Sequence, residues 1–438
     1  MATREQASSA KPATVMVAGF AISVARQHRN LAGLCYKRLT VPAGAMRNLP
    51  TGSRSNRPEP LHPIPHGAAP PCSSPPQSRE APMHSHDLLL VGAGHSHLGV
   101  LRRWALGQRP PGRLALLTDS PHAWYAGRLP GLLAGRYKEA DSRIELAPLC
   151  RAAGVELLQG EVTGLDANAR RLALADGRTL QASWLSLNVG AAPATPEQRS
   201  GGMQVLAIKP FEAFLGIWRE WQRDPQPLAI VGGGAAGVEL ALALAEQVPE
   251  LSLFCAGPLL EGGSPGLRLR ALGHLRQRGV SGREHCPISH IEGQTLYSDA
   301  GAVWHGPRLL LASGSQPLPW LTHSGLVCAD DGFIQIGRTL QSHSHPRIFA
   351  SGDCASLPDA PRNAWQATRQ ATRLAANLVA VLQERPLARY RPARQRVLLL
   401  TTGDGGALLD WNGWSAGGRL CGWWRDLRDR QFILRHQG

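Results

Sequence analysis

Two glycine-rich stretches, Val91-Gly92-Ala93-Gly94-His95-Ser96-His97 and Val231-Gly232-Gly233-Gly234-Ala235-Ala236-Gly237-Val238-Glu239, hold the residue types and spacing best suited to chemistry in this chain. Glycines so placed let a backbone turn approach a pyrophosphate, and a helix opening behind them offers N–H donors and the positive end of its dipole. A third stretch, Ile348-Phe349-Ala350-Ser351-Gly352-Asp353, ends an apolar run on an aspartate that can fix sugar hydroxyls. His97 stands where the first fingerprint's third glycine belongs, so the helix must shift or the ring must point away. With His95 it forms a His-x-His pair; no further ligand accompanies them, which favours a structural or cofactor-proximal role and no metal.

The elements around these residues follow from the apolar pattern. Residues 88–91 and 228–231 are short apolar runs before each glycine turn, and a helical pattern follows each, which is the strand, turn and helix context the motif requires. The first unit reads as a strand at 88–91, a helix at 97–107 and a strand at 114–117. Asp119 then stands about twenty residues past the turn, either as a ribose acceptor or as a turn residue before Pro121. Residues 157–187 alternate around an Asp176-Gly177 turn as a β-meander, and the run closes on Gly190. The second unit ends on a strand reaching Gly314, after which the chain returns to the first with Gly352, Asp353 and a helix at 363–382. The expected fold is α/β: two doubly wound, Rossmann-like dinucleotide-binding domains, the second inserted in the first, with a small C-terminal hairpin and helix.

Composition narrows the class. The first 82 residues carry ten Lys and Arg against three Glu and few aromatics, a tail that cannot order itself by burial. Disorder, a start codon placed too early, and an organelle-targeting segment are the three readings of it. The rest of the chain shows no Lys/Arg stripe interleaved with aromatics, which argues against nucleic acid. The eight cysteines are scattered without a CxxC or CxxxxC pair, as suits single thiols in a reducing cytoplasm. No long apolar run lacks charge. At the C-terminus Leu420, Trp423, Trp424 and Leu427 recur at helical spacing beside Arg425, Arg428 and Arg430. Such a helix could lie on the inner face of the cell membrane, pack on its own domain or meet a second subunit.

Over residues 86 to roughly 390 the layout resembles the pyridine nucleotide-disulfide oxidoreductase superfamily. The missing dithiol and the Ala364-Trp365-Gln366-Ala367-Thr368-Arg369-Gln370-Ala371 helix are similar to the type II NADH:quinone and sulfide:quinone oxidoreductase branch. Gly94-His95-Ser96-His97, Tyr125-Ala126-Gly127-Arg128-Leu129-Pro130-Gly131 and Thr402-Gly403-Asp404 resemble the NADH-dehydrogenase-like FAD module that some bacteria fuse to selenide, water dikinase. The resemblance implies FAD as cofactor and NAD(P)H as substrate. It implies that Gly92 and Gly94 face the pyrophosphate, Asp119 the adenosine ribose, Val162 the adenine, and Asp353 the ribityl and phosphate region. Gly190, Gly352 and the histidines would lie beside them. Gly232, Gly234, Gly237 and Gly314 would hold the nicotinamide dinucleotide, with Glu239 either near the nicotinamide or simply favouring a helix start. Tyr125, Arg128, Pro130, Trp365 and Gln370 would line the flavin or its acceptor. Trp365 and Arg369 stand where the quinone-facing motif has glutamines, and Ala371 where it has glycine.

The strand at 251–254 ends in Cys255-Ala256-Gly257, with Glu261 the nearest acid, so NADH against NADPH stays open with a lean to NADH. The expected activity is hydride transfer from NAD(P)H to flavin and onward to a quinone or another small acceptor. Two alternatives stand beside it. One is sulfide oxidation, for which Cys150 and Cys328 form the one reasonable thiol pair; the other is a flavin-bound redox module serving a partner in selenium metabolism. The domain reading is an extension at 1–84, FAD-binding parts at 85–200 and 326–390, an NAD(P)-binding domain at 201–325, and a C-terminal interface segment at 391–438.

Overall fold

The computed structural model describes residues 84–393 and 397–437. The expectations for the basic N-terminal extension therefore lie outside the described residues, save for its last position.

The first sheet begins with β1 (His84–Val91), α1 (His95–Arg103) and β2 (Leu114–Thr118). Two helices, α2 (Leu129–Leu133) and α3 (Leu146–Ala153), precede β3 (Glu156–Gln159); β4 (Val162–Asp166), β5 (Arg171–Leu174) and β6 (Thr179–Leu187) follow. The strand order is β3-β2-β1-β6-β5-β4. Leu88, Leu89, Leu90, Leu116 and Leu117 have no exposed surface, because a parallel sheet covered on both faces buries every residue of its central strands. The meander expected over 157–187 is real for β4, β5 and β6, which pair antiparallel. The run at Leu157 instead forms β3, parallel to β2 at the opposite edge. The intervening α3 makes it a crossover strand, and helix 146–153 carries no fingerprint that would announce this.

The second sheet is parallel throughout. It takes β7 (Gln204–Ala207), then α4 (Phe211–Arg223), β8 (Leu228–Val231), α5 (Ala235–Leu244), β9 (Leu251–Phe254), α6 (Pro265–Gln277), β10 (Ser281–Arg283) and β11 (Arg308–Leu311), in the order β7-β11-β8-β9-β10. The helical side buries Phe214, Trp218, Leu242 and Leu267. A three-stranded antiparallel flap over residues 290–305 covers the other side through Ile291, Leu296 and Trp304. The chain then returns to the first sheet: β12 (Ile348–Ala350) pairs with β6, Ile348 opposite Leu185. α7 (Ala364–Leu382) packs across α1. The second unit is thus inserted in the first.

The C-terminal hairpin, β13 (Val397–Thr401) and β14 (Ala407–Trp411), gains a third strand, β15 (Trp414–Gly418), before α8 (Arg419–Leu434). Asn412 and Gly413, both at positive φ, make the two-residue turn between β14 and β15, a signal present in the sequence. α8 corrects one expectation. Its buried face is Gly422, Arg425, Asp429 and Ile433, whereas Leu420 (73 %), Trp423 (64 %) and Leu434 (70 %) are exposed. The aromatic stripe does not pack on its own domain, because the charged residues on the opposite face have partners inside. Among the described residues no helix is long and apolar enough to cross a membrane.

Candidate functional site

The first glycine turn leaves β1 and enters α1 against the end of β6, and Asn188 is the residue that holds it. The Asn188 Oδ1 accepts the backbone N–H groups of Ser96 (3.1 Å) and His97 (3.3 Å), and Nδ2 donates to the Ser351 carbonyl (2.8 Å). One side chain therefore ties the start of α1 and the ends of β6 and β12. A Cβ on Gly92 would stand 2.6 Å from the Asn188 carbonyl, and one on Gly94 would overlap the Asn188 amide. These glycines are demanded by the protein's own packing before any ligand arrives.

His97 fills the place of the third glycine without displacing the helix. Its ring has no exposed surface; Nδ1–H donates to the Gly92 carbonyl (2.6 Å) and Nε2 accepts from the Ser186 hydroxyl (2.8 Å). The carbonyl can only accept, which fixes the neutral Nδ1–H tautomer. Burial pushes its pKa down to about 4, against the opposing pull of the Gly92 carbonyl. His97 is thus a strut beneath the turn and presents nothing to a cofactor. His95 points elsewhere, its ring 5.6 Å from Tyr125 and 5.3 Å from Phe432. The His-x-His pair does not converge.

The second turn uses glycine alone. Cβ atoms on Gly232 and Gly237 would collide with the carbonyls of Ala312 and Gly232 respectively. Gly234 and Gly314, by contrast, have nothing within 4 Å of where a Cβ would stand, and Gly190 meets only Lys209 Nζ at 3.9 Å. A cleft of about 210 Å³ runs between the two units, lined by Pro130, Ala191, Lys209, Ala236, Glu239 and Ser313. Lys209 was not anticipated. Its ammonium lies 3.7 Å from the Asp353 carboxylate, which places a cation beside the aspartate expected to hold the ribityl chain.

Glu239 faces this cleft with its carboxylate held from behind. Its Oε1 accepts the Thr401 N–H (2.8 Å) and pairs with the Arg425 guanidinium of α8. Arg425 also donates to the carbonyls of Gly127 (2.6 Å) and Leu399 (3.0 Å) and lies 3.6 Å from Asp429. Asp429 in turn accepts the Tyr125 hydroxyl at 2.9 Å. Burial pushes the Glu239 carboxyl up while Arg425 pulls it down, and burial with the Asp429 charge holds the Tyr125 phenol protonated far above its ordinary range. Tyr125, Phe432 and His436 stack in series, Tyr125 to Phe432 at 4.7 Å and Phe432 to His436 at 4.3 Å. The C-terminal helix thereby ties the loop after β2 to the first turn of α5.

The remaining expected residues divide. Asp119 is exposed at the end of β2, its carbonyl accepting from Gln159 (3.1 Å), and Val162 opens β4. Arg128 turns away from the cleft: its guanidinium donates to the Asp141 carbonyl at 2.5 Å and lies over the Tyr137 ring at 4.6 Å. Gln370 is buried, and its Oε1 accepts the Gly352 N–H at 2.8 Å, so it shapes the loop before Asp353 and meets no acceptor. Trp365 is half-buried under Arg369, 5.0 Å away. Ala371 has its explanation in α1: a Cβ on Gly99 would stand 2.5 Å from the Ala371 methyl, so the small residue has moved to the partner helix.

Comparison with known proteins places this geometry. The family model for pyridine nucleotide-disulphide oxidoreductases matches residues 86–371, more than half of the chain. The chain belongs to this family. Pyridine nucleotide-disulphide oxidoreductases are flavoprotein enzymes that bind FAD and use NAD(P)H, and so is this chain. It is 28 % identical over 259 residues to ferroptosis suppressor protein 1 of Homo sapiens, covering 55 % of this chain and 68 % of that protein. The sulfide:quinone oxidoreductase from Aquifex aeolicus shares the fold with a TM-score of 0.66 at 16 % identity, covering 80 % of this chain and 91 % of that one. A ferredoxin reductase from Rhodopseudomonas palustris gives 0.63 at 20 % identity, covering 74 % and 81 %.

Tyr125, the short turn Ala126–Arg128 and α2 supply Tyr, Arg and Pro but no cysteine, and none of the cysteines among the described residues is in a disulfide. Asn188, Lys209 and Asp429 were not singled out by the sequence, and Arg425 stood there only as a charge on the C-terminal helix. A polar Asn ending the apolar strand Ser186-Leu187-Asn188, and an Arg and Asp four apart in α8, were the signals available.

Proposed function

We propose that this enzyme takes hydride from NAD(P)H onto FAD and delivers electrons to a quinone-type acceptor. The observation that carries the reading is the cleft lined by Pro130, Ala191, Lys209, Ala236 and Glu239, whose lining contains no thiol. With no dithiol beside the cleft, electrons leave to a diffusible acceptor and not to a protein disulfide. The flavin, when bound, supplies the two-electron chemistry. The protein's part is placement: Gly92, Gly94, Gly190 and Asp353 hold the FAD, and Gly232, Gly234, Gly237 and Gly314 hold the dinucleotide. Lys209 sets a positive charge beside Asp353, and Glu239, pinned by Arg425, presents a fixed carboxylate edge to the cleft. Residues 85–200 with 326–390 form the FAD-binding domain, 201–325 the NAD(P)-binding domain, and 391–438 the interface segment.

Glu261 is the ribose-reading residue in this proposal. Its carboxylate lies 3.5 Å from the Cβ position of Gly257, just past the end of β9, and an acid there favours NADH over NADPH. Sulfide oxidation is the weaker reading, because Cys150 is 1 % exposed and burial pushes its thiol up to about 12. The outward stripe of α8 beside Arg428 and Arg430 suits a bilayer surface, where a quinone with an apolar tail is dissolved. Anaerobic stopped-flow mixing of the flavin-loaded protein with NADH, then with a soluble quinone, tests the reading. Bleaching of the flavin absorbance within seconds and its return on adding quinone are expected. No bleaching by either NADH or NADPH refutes hydride transfer and leaves the redox module serving a partner; bleaching without return refutes the quinone.

A further inference from the structure

A second cavity lies away from the cleft, on the outer face of α7. It measures about 740 Å³ and is lined by Thr368, Arg369, Thr372, Arg373, Arg389 and Arg391, with Tyr390 at its floor. Thr368, Arg369, Thr372 and Arg373 are spaced one, four and five apart and so share one helix face, opposite the buried Gln366, Gln370 and Leu374. Arg389 and Arg391 come from the segment that follows the helix and folds back over it.

Four guanidinium groups around one hollow repel each other. None of the four is ion-paired with a carboxylate among the described residues. α7 has no acidic residue in its nineteen positions. Arg103 of α1, reaching Thr372 Oγ1 at 2.8 Å, adds a fifth positive charge at the rim. Tyr390 is the fixed point: it is buried, and its hydroxyl donates to Gln366 Oε1 at 2.5 Å. Arg369 is ordered over Trp365, and Arg373 with the exposed Arg389 and Arg391 completes the lining of the hollow.

We infer that this cavity binds a polyphosphorylated ligand, one carrying two or three phosphate groups. Guanidinium groups bind phosphate oxygens in bidentate pairs, and threonine hydroxyls complete such sites. Four arginines lining one hollow match a ligand of charge three or four better than a single carboxylate or orthophosphate. The hollow has the volume of a small-molecule pocket, which favours such a ligand over an extended macromolecular surface. It sits on the helix whose inner face, through Gln370 and Gly352, shapes the loop before Asp353.

Equilibrium titration of the flavin-loaded full chain with inorganic tripolyphosphate, orthophosphate and sulfate tests the inference. A parallel sedimentation assay uses phosphatidylcholine vesicles with and without a phosphatidylinositol bisphosphate. Tripolyphosphate is expected to bind at least tenfold more tightly than orthophosphate or sulfate, and the Arg389→Ala/Arg391→Ala variant to lose tenfold or more. Sedimentation with the bisphosphate vesicles alone, abolished in the variant, assigns the same chemistry to a lipid headgroup. Both arginines are exposed, so the variant is expected to keep its flavin content and melting temperature; Arg373→Gln serves as the second variant if it does not. Equal affinity for all three anions, binding unaltered in both variants, or no binding in either assay overturns the inference.

Discussion

Arg425→Met removes the cation that joins Glu239 and Asp429 in a buried cluster of charges. The side chains of Glu239 and Asp429 are 12 % and 9 % exposed, and Arg425 itself is 10 % exposed. Removing it strands two carboxylates and frees the carbonyls of Gly127 and Leu399. Breaking a buried ion pair from one side costs about 3–5 kcal/mol. Urea unfolding followed by far-ultraviolet circular dichroism should show that loss at pH 8. Glu239→Gln combined with Arg425→Met should recover on the order of 2 kcal/mol, since neighbours in one network are not additive. The pH dependence has a definite sign. The buried Glu239 carboxyl has a raised pKa in the folded chain, so its uncompensated charge costs most above that pKa. As pH falls the folded state takes up the proton first, and the deficit of Arg425→Met shrinks. A loss below about 1 kcal/mol, strict additivity in the double variant, or a deficit that grows toward acid refutes this account of the cluster.

Further outcomes follow from other residues. His97→Ala should cost about 2–4 kcal/mol in the same assay, through lost hydrogen bonds and an unfilled volume. Wild-type His97 has its pKa lowered from 6.5 to about 4, so its folded state resists protonation that the unfolded chain accepts. Stability should therefore fall as pH drops from 6.5 toward 4, by at most on the order of 3 kcal/mol, and His97→Ala should show a flatter profile. Glu261→Gln should lower kcat/KM for NADH about tenfold and leave NADPH unchanged, equivalent to about 1.4 kcal/mol; equal losses with both would show that Glu261 reads no ribose. Leu420→Ser with Trp423→Ser should reduce sedimentation with anionic vesicles several-fold while leaving NADH-driven flavin reduction intact; unchanged sedimentation would remove the bilayer from the reading of α8.

The glycine turns and Asp353 were legible because their pattern is local: an apolar run, a tight turn and a helix start lie within a dozen residues of each other. The insertion of one sheet in the other was legible for the same reason, from the order in which glycine-ended strands recur. Asn188 was not, since its importance arises where β1, β6 and β12 end together, and those ends are far apart in sequence. The orientation of α8 was left open for a different reason. Periodicity assigned Leu420, Trp423 and Leu427 to one face, and the usual rule puts the apolar face inside. Here the inside contains Glu239 and Tyr125, which call for Arg425 and Asp429, so the helix is turned over. Gln370 and Arg128 kept motif positions while their polar atoms were drawn to nearby backbone, at Gly352 and Asp141.

The contact between Gly99 and Ala371 has a historical consequence. Only one of these two positions can carry a methyl group while α1 and α7 stay at their present separation. A lineage holding glycine at 371 could accept alanine at 99, and this chain could not. Mutational routes between the two arrangements must pass through an intermediate with glycine at both sites, a state with a small void and two flexible helix positions. Such an intermediate survives more readily than its overcrowded counterpart, so the order of the two substitutions is set by the packing of one helix on another.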